Sequence, residues 1–425
     1  MSRRIKFCHI SDTHLGYRQY KNDIRYEDYF NAFIKALKVC IKHDPDFIVL
    51  TGDLFQRYDP SYGTLVKFFN ICDNLFAKNP GLRIFIIPGT HDFPRRDSQL
   101  KNGYCFNIFE HTKYKDNIIV LEDDIKVLNA SPSNKERFLI AGLRYYHSEP
   151  LYRLKMLLHD SKHSSLYDET DGIPKILLMH QYTSGMSKVK KQSVQFDENL
   201  LEEYGFNYIG VGHTHYKWEK RQLNLYCPGS TEHVSISDWE QPERYVYVVD
   251  ILLNEESGVW KTTAIPKEFT VRPKFQEIID LGETTYENAV KKLDVGIVGK
   301  VPNDSVVKIT IRGVLPPGEI RLLDLREMED VIKTEKGAIH VEITDNLFPD
   351  LEGFTPSSEE TGDILDELIT DHFNINGKVG DTIKRLIQEI QRAPKKIDDE
   401  FIKNLLSTPI DNIPEGWIGS EEGGE

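Results

Sequence analysis

Short apolar runs recur through the first half of the chain: Ile5–Ile10, Phe47–Leu50, Arg83–Ile87, Asn117–Leu121, Phe138–Leu143, Lys175–Met179, Tyr208–Val211 and Arg244–Leu252. Their length and the turn-forming residues around them predict strands. Between the first three lie stretches with apolar residues at helical spacing, Glu27–Lys42 and Tyr62–Lys78. Strand, helix, strand, helix, strand predicts an α/β opening. The later strands follow one another with less helix between them, which predicts a second, mixed sheet.

The pattern changes around Pro266–Pro273. A strand (Phe275–Leu281), a helix (Thr285–Leu293), a strand (Val306–Gly313), a helix (Glu319–Ile332) and a strand (Ala338–Ile343) predict a small α/β domain of its own. Phe348–Glu360, rich in Pro, Ser, Gly and acid, reads as a linker. Beyond it, apolar residues at helical spacing (Ile364, Leu365, Leu368, Ile369; then Ile383, Leu386, Ile387, Ile390; then Phe401, Leu405, Leu406) predict three amphipathic helices. The expected organisation is therefore residues 1–268, 272–346, a linker over 347–360 and C-terminal helices over 361–425. The helix Tyr62–Lys78 carries Leu65, Val66, Phe68, Phe69, Ile71, Leu75 and Phe76, more than one core-facing stripe needs. Two-sided burial within the monomer and a subunit contact both account for that.

Composition narrows the class. The chain has 425 residues, 39% hydrophobic and 28% charged, a soluble globular balance long enough for two or three domains. The longest apolar run, around Tyr245–Leu253, is interrupted by Asp250 and is too short to span a bilayer. Arg3 and Arg4 are followed within a few residues by His9, Asp12 and His14, which leaves no signal-peptide core and predicts a cytoplasmic protein with no membrane association. The five cysteines, Cys8, Cys40, Cys72, Cys105 and Cys227, are scattered and odd in number, which fits reduced thiols. The net charge is −14, but 20 acidic and 7 basic residues lie from Glu342 onward, so the body is nearly neutral. Neutrality of that kind neither favours nor excludes nucleic acid, because local patches decide.

Five fragments carry chemistry: Asp12-Thr-His14, Gly52-Asp53, Gly89-Thr-His91-Asp92, His180 and Gly212-His213-Thr-His215. Each follows an expected strand, and the carboxyl ends of strands form the ligand-binding edge of α/β sheets. Asp12, His14, Asp53, His180, His213 and His215 make a mixed imidazole–carboxylate set suited to Mn, Fe or Zn. Six protein ligands are too many for one open catalytic ion and fit two ions sharing a carboxylate. The remaining nearby histidines, His9, His111, His147 and His233, read as structural.

DxH, GD, GxHD, H and GHxH is a pattern similar to that of the calcineurin-like metallophosphoesterases. Gly52-Asp53-Leu54-Phe55 and Cys227-Pro228-Gly229-Ser230-Thr231-Glu232 resemble its SbcD branch, the nuclease subunit of a DNA double-strand-break repair complex. The resemblance implies a two-sheet sandwich flanked by helices. It implies two Mn2+ ions, one held by Asp12, His14 and His215, the other by His180 and His213, with Asp53 bridging. His91 matches the family's catalytic histidine, with Asp92 orienting it. Two positions depart from the family: Thr90 stands where it has Asn, and Gln56 where the branch has His. These departures predict weaker ion occupancy and weakening of one of the family's nuclease activities.

The resemblance further implies single-strand endonuclease and 3'-5' double-strand exonuclease activity on DNA, and a homodimer. Residues 272–346 would be a capping domain controlling DNA access, and the C-terminal helices a docking segment for an SbcC-like coiled-coil ATPase. Arg95, Arg96, Lys188, Lys190, Lys191, Lys217, Lys220 and Arg221 follow the site fragments, where they are either backbone-phosphate contacts or a solvated surface. Two other functions compete: a small-substrate phosphodiesterase, and a DNA-end-binding scaffold whose site has weakened at Thr90 and Gln56.

Overall fold

All eight strands expected in the first half form, each within two residues of its expected ends. In chain order the strands are β1 (Arg4–Ile10), β2 (Phe47–Thr51), β3 (Arg83–Ile87), β4 (Ile118–Val120), β5 (Asp124–Asn129), β6 (Arg137–Leu143), β7 (Lys175–His180), β8 (Tyr208–Gly212), β9 (Trp218–Lys220), β10 (Leu225–Cys227), β11 (Arg244–Asn254) and β12 (Val259–Phe269). The computed structural model describes residues 3–94, 104–159, 172–186, 194–294, 297–316 and 319–349. The chain divides into two units, Met1–Val314 with Glu319–Phe348 and Leu315–Gly318 with Pro349–Glu425. The expected C-terminal helices, the linker from residue 350, and Arg95, Arg96, Lys188, Lys190 and Lys191 lie outside the described residues.

The strands make two six-stranded mixed sheets, ordered β12-β11-β1-β2-β3-β4 and β5-β6-β7-β8-β10-β9. In the first, β1 to β4 are parallel, while β11 runs antiparallel to β1 and β12 to β11. In the second, β6, β7, β8 and β10 are parallel between antiparallel β5 and β9. Alternate residues of each strand face opposite sides, and both sides are apolar here. Phe7, Phe47, Val49, Phe85 and Ile87 of the first sheet meet Phe138, Ile140, Ile176, Leu178 and Tyr208 of the second. Phe47 is the link, its ring 5.0 Å from Phe7 and 4.7 Å from Phe138.

Helices cover the two outer faces. The helices α1 (Asp23–Lys42) and α2 (Tyr62–Lys78) pack Phe30, Phe33, Ala36, Phe68, Cys72 and Phe76 onto Ile10, Ile48, Leu50, Ile84 and Ile86. Helix α3 (Pro150–His159) packs Leu154, Leu157 and Leu158 onto Leu139, Ala141, Leu177 and Met179. Each such side chain, fully buried, contributes about 1.5–3 kcal/mol. The result is a helix–sheet–sheet–helix sandwich, as expected. Helix α1 begins four residues before the expected Glu27 because the Asn22 side chain accepts from the backbone N–H groups of Ile24 and Arg25. On α2, Phe69 and Phe76 pack on Phe109 and Tyr114, so part of the second apolar face is covered within the chain. Val66 and Tyr62 remain exposed.

A third sheet follows, β13 (Lys274–Glu283), β14 (Val306–Leu315) and β15 (His340–Pro349), in that order, with α4 (Tyr286–Asp294) and α5 (Leu325–Lys336). Helix α5 starts six residues later than expected, behind Asp324, whose side chain accepts from the N–H groups of Arg326 and Glu327. Among the described residues no helix is long and apolar enough to cross a membrane.

Candidate metal centre

Parallel strands put the chain reversals after β1, β2, β3, β7 and β8 at one edge of the sandwich. The two sheets touch there: His180, the last residue of β7, donates its Nδ1–H to the carbonyl of Thr51 at the end of β2 (2.8 Å). The backbone at this edge is strained. Asp12, His14, Asp53 and His213 all have positive φ, between 46° and 86°. Non-glycine residues in that region carry a cost of order 1–3 kcal/mol and cluster at functional sites. Gly52, at φ +86°, lies so close to His180 that a Cβ would overlap the imidazole ring.

All six expected ligand residues converge. Ligand atoms of Asp12, His14 and His215 form one group, those of Asp53, His180 and His213 a second, and those of His14, Asp53 and His91 a third, each with its atoms within 4.8 Å of one another. Asp53 Oδ2 is 3.3 Å from His180 Nε2 and 3.9 Å from His14 Nε2, so this carboxylate reaches both sides of the cluster. The Nε2 atoms of His14 and His215 face each other at 3.3 Å. His180 Nε2 is buried without a hydrogen-bond partner.

Partners around these groups set which nitrogen is free. His14 Nδ1 donates to Gln56 Oε1 (2.9 Å), His91 Nδ1 donates to the main-chain oxygen of Gln56 (2.9 Å), and His215 Nδ1 lies 3.4 Å from Asp238 Oδ2. Thr90 Oγ1 lies 3.3 Å from His213 Nδ1, so the hydroxyl at the first departure from the family pattern neighbours an expected ligand. The His213 ring lies 3.9 Å from Tyr182 and 5.1 Å from Tyr145, measured between centroids. Asp12 accepts from the Ser11 hydroxyl and from the backbone N–H of His213.

The protonation pattern follows from burial and proximity. Burial pushes Asp12 up to about 6, against the pull of His180. Burial also opposes the charge on Asp53, yet His180, His14 and His91 hold it well below the usual range. Burial opposes protonation of His180, but Asp53 and Asp12 outweigh it and raise the ring to about 9. His14 and His213 are pushed down, chiefly by burial. Two buried carboxylates and four imidazoles gathered at one edge make a donor set that fits divalent metal ions.

One expectation changes. Asp92 does not orient His91: its carboxylate accepts from the backbone N–H groups of Leu54, Phe55 and Gly89, bracing two loops, and the His91 ring is held by Gln56 instead. Lys220 pairs with the buried Glu198 (2.9 Å), and Arg221 pairs with Glu219 (2.8 Å) at the surface. Lys217 lies over the Tyr245 ring. Of the nearby histidines outside the fragments, His9 is buried between Tyr208 and Thr51 and pushed to about 3 by burial, His233 sits against Glu232, and His111 and His147 are exposed. Asp238 and the Thr51 carbonyl were not anticipated, and Gln56 was marked only as a departure from the family pattern, not as the acceptor that holds His14 and His91. For Asp238 one signal existed, the Ser-x-x-Asp spacing from Ser235 that caps a helical turn, but it does not point to His215.

Comparison with known proteins agrees with this geometry. Residues 5–217 match the calcineurin-like phosphoesterase family. The chain is similar to proteins named DNA double-strand break repair protein Mre11. It is 24% identical over 420 residues to that of Saccharolobus solfataricus, covering 96% of this chain and 100% of the relative. It is 25% identical over 423 residues to that of Methanocaldococcus jannaschii, covering 95% and 97%. Identity reaches 31% with that of Thermoplasma acidophilum, over 248 residues, 57% of this chain and 61% of the relative.

Proposed function

The chain belongs to the calcineurin-like phosphoesterases, and from that premise we propose that it is a metal-dependent DNA nuclease of double-strand-break repair. The observation that carries the reading is the convergence of two carboxylates and four imidazoles from four separate segments onto one strand-end cluster. The similarity to double-strand-break repair proteins over nearly the whole chain supports DNA as the substrate.

In this reading Asp12, His14 and His215 would hold one Mn2+ ion and His180 and His213 the other, with Asp53 available to both. The ions supply Lewis acidity, lowering the cost of deprotonating water and offsetting charge on the phosphate. The protein's own work is positional. Gly52 lets the β2 loop pass close under His180. Asp53 accepts the backbone N–H of His91 (2.7 Å) and so ties the catalytic histidine to the shared carboxylate. His91 keeps a proton on Nδ1 for the Gln56 carbonyl, which leaves Nε2 facing the phosphate; there the ring acts as general acid toward the leaving oxygen only when it carries a second proton on Nε2.

The activities are single-strand endonuclease and 3'-5' double-strand exonuclease. The segment 272–346 is a capping domain that shapes DNA access, and the chain acts in the cytoplasm as a homodimer with an SbcC-like coiled-coil ATPase. The test is cleavage of a labelled DNA hairpin and a closed single-stranded circle by the full chain in Mn or Mg, beside His91→Ala. Mn-dependent cutting of both substrates, reduced by about 10²–10⁴-fold in His91→Ala, is expected. DNA binding without cutting in any metal would replace the nuclease by an end-binding scaffold.

A further inference from the structure

Gln56 occupies a place that the ligand pattern does not account for. It ends the loop that carries Asp53, and that loop is zipped to the one carrying Asp12 and His14. His14 N donates to Asp53 O (2.9 Å), Leu15 N to Leu54 O (2.9 Å), and Gln56 N to Leu15 O (3.0 Å). Leu54 and Phe55, just before it, are wholly buried, so the main chain at Gln56 is fixed from both sides. From that position its two oxygens reach two different imidazoles. The side-chain Oε1 accepts from His14 Nδ1 and the main-chain oxygen accepts from His91 Nδ1, each at 2.9 Å. The two rings are 5.0 Å apart and almost perpendicular, at 82°.

A carbonyl oxygen only accepts, so each contact requires a proton on Nδ1 and leaves Nε2 with a lone pair in the neutral ring. For His14 that nitrogen is the one facing His215 Nε2 and Asp53. The Gln56 amide does not titrate, so the acceptor it offers His14 is the same at every pH. We infer that Gln56 is a positioning residue for the phosphodiesterase centre, selecting the Nδ1–H tautomer of His14 with its side chain and that of His91 with its main chain. The inference rests on the two-ion reading of the site, and the experiment separates the two.

The full chain, labelled with 15N-histidine, is compared with Gln56→Met, which removes the acceptor at similar shape, and Gln56→Glu, which keeps it. Long-range proton–nitrogen spectra of the metal-free proteins report each tautomer, and calorimetric titration with Mn2+ reports the ions. His14 is expected as the Nδ1–H form in the starting protein and in Gln56→Glu. In Gln56→Met it becomes a mixture with the Nε2–H form, while His91 is unchanged because its acceptor is main chain. Mn2+ affinity falls by about 10–100-fold in Gln56→Met, the usual effect of losing a partner behind a ligand histidine, and is kept in Gln56→Glu. An unchanged His14 tautomer in Gln56→Met, or an equal loss of Mn2+ affinity in Gln56→Glu, overturns the positioning role. A starting protein that binds no Mn2+ but shows the tautomer shift keeps the positioning and overturns the two-ion reading.

Discussion

At the scale of single residues, the ligand set follows from residue type and spacing, and its orientation does not. Asp12, His14, Asp53, His180, His213 and His215 are visible in the sequence because five fragments of ligand-type residues, in this order, each follow an apolar run. The groups that aim them are invisible there. One is the main-chain carbonyl of Thr51, a group every residue has, and Asp238 lies 23 positions from the histidine it touches. Thr90 shows how one position can be weighed. Its hydroxyl sits beside His213 but is shorter than the amide of an asparagine, whose oxygen is a ready ligand for a divalent ion. Thr90→Asn is therefore expected to tighten the weaker of two Mn2+ sites, by about tenfold on the scale of partner effects at metal ligands. Calorimetric titration checks it, and an isotherm identical to that of the unaltered chain would remove Thr90 from the account.

Between elements, a buried charge cluster ties α1, the loop after β10 and the start of β13. Arg25 pairs with Asp28 (2.7 Å) and Glu232 (3.2 Å), Lys274 also pairs with Glu232 (3.1 Å), and Arg272 pairs with Asp28 (2.7 Å). Burial opposes the charge on Glu232, but Lys274, His233 and Arg25 outweigh it and hold its carboxyl well below the ordinary 4.5. Its contribution to stability is therefore complete above about pH 4.5 and is lost as the pH falls below that, through the lower folded-state value. Glu232→Gln leaves Arg25 and Lys274 buried with one partner fewer, which costs about 3–5 kcal/mol at pH 7. Urea denaturation at a series of pH values should show that difference shrinking below pH 4.5, whereas a gap independent of pH would mean that the cluster packs without contributing electrostatically.

The same cluster explains where element prediction stopped. Arg25 is fully buried within α1 but reads as polar, so the apolar pattern placed the helix start too late. Strands with both faces buried, such as β2, were legible as apolar runs. Strands β9 and β10 have three residues each, too few for a pattern, and β12 is an edge strand, largely exposed, carrying lysines and Pro266.

Across the whole molecule, two sheets with apolar residues on both faces leave their strand ends as the place where polar residues collect. In this chain the ends of β1, β2, β3, β7 and β8 meet because the two sheets are packed face to face through Phe47 and its neighbours. The centre is thus a consequence of the sandwich, and its residues come from segments up to about 200 positions apart, as with Asp12 and His213. The most direct test of the central claim is the number of Mn2+ ions bound per full-length chain, by elemental analysis with calorimetry, in the unaltered protein, Asp53→Asn and His180→Ala. Two ions in the unaltered chain, one in His180→Ala and none held tightly in Asp53→Asn are expected, because Asp53 serves both. One ion in the unaltered chain, or two retained in Asp53→Asn, would contradict a centre built on a shared Asp53.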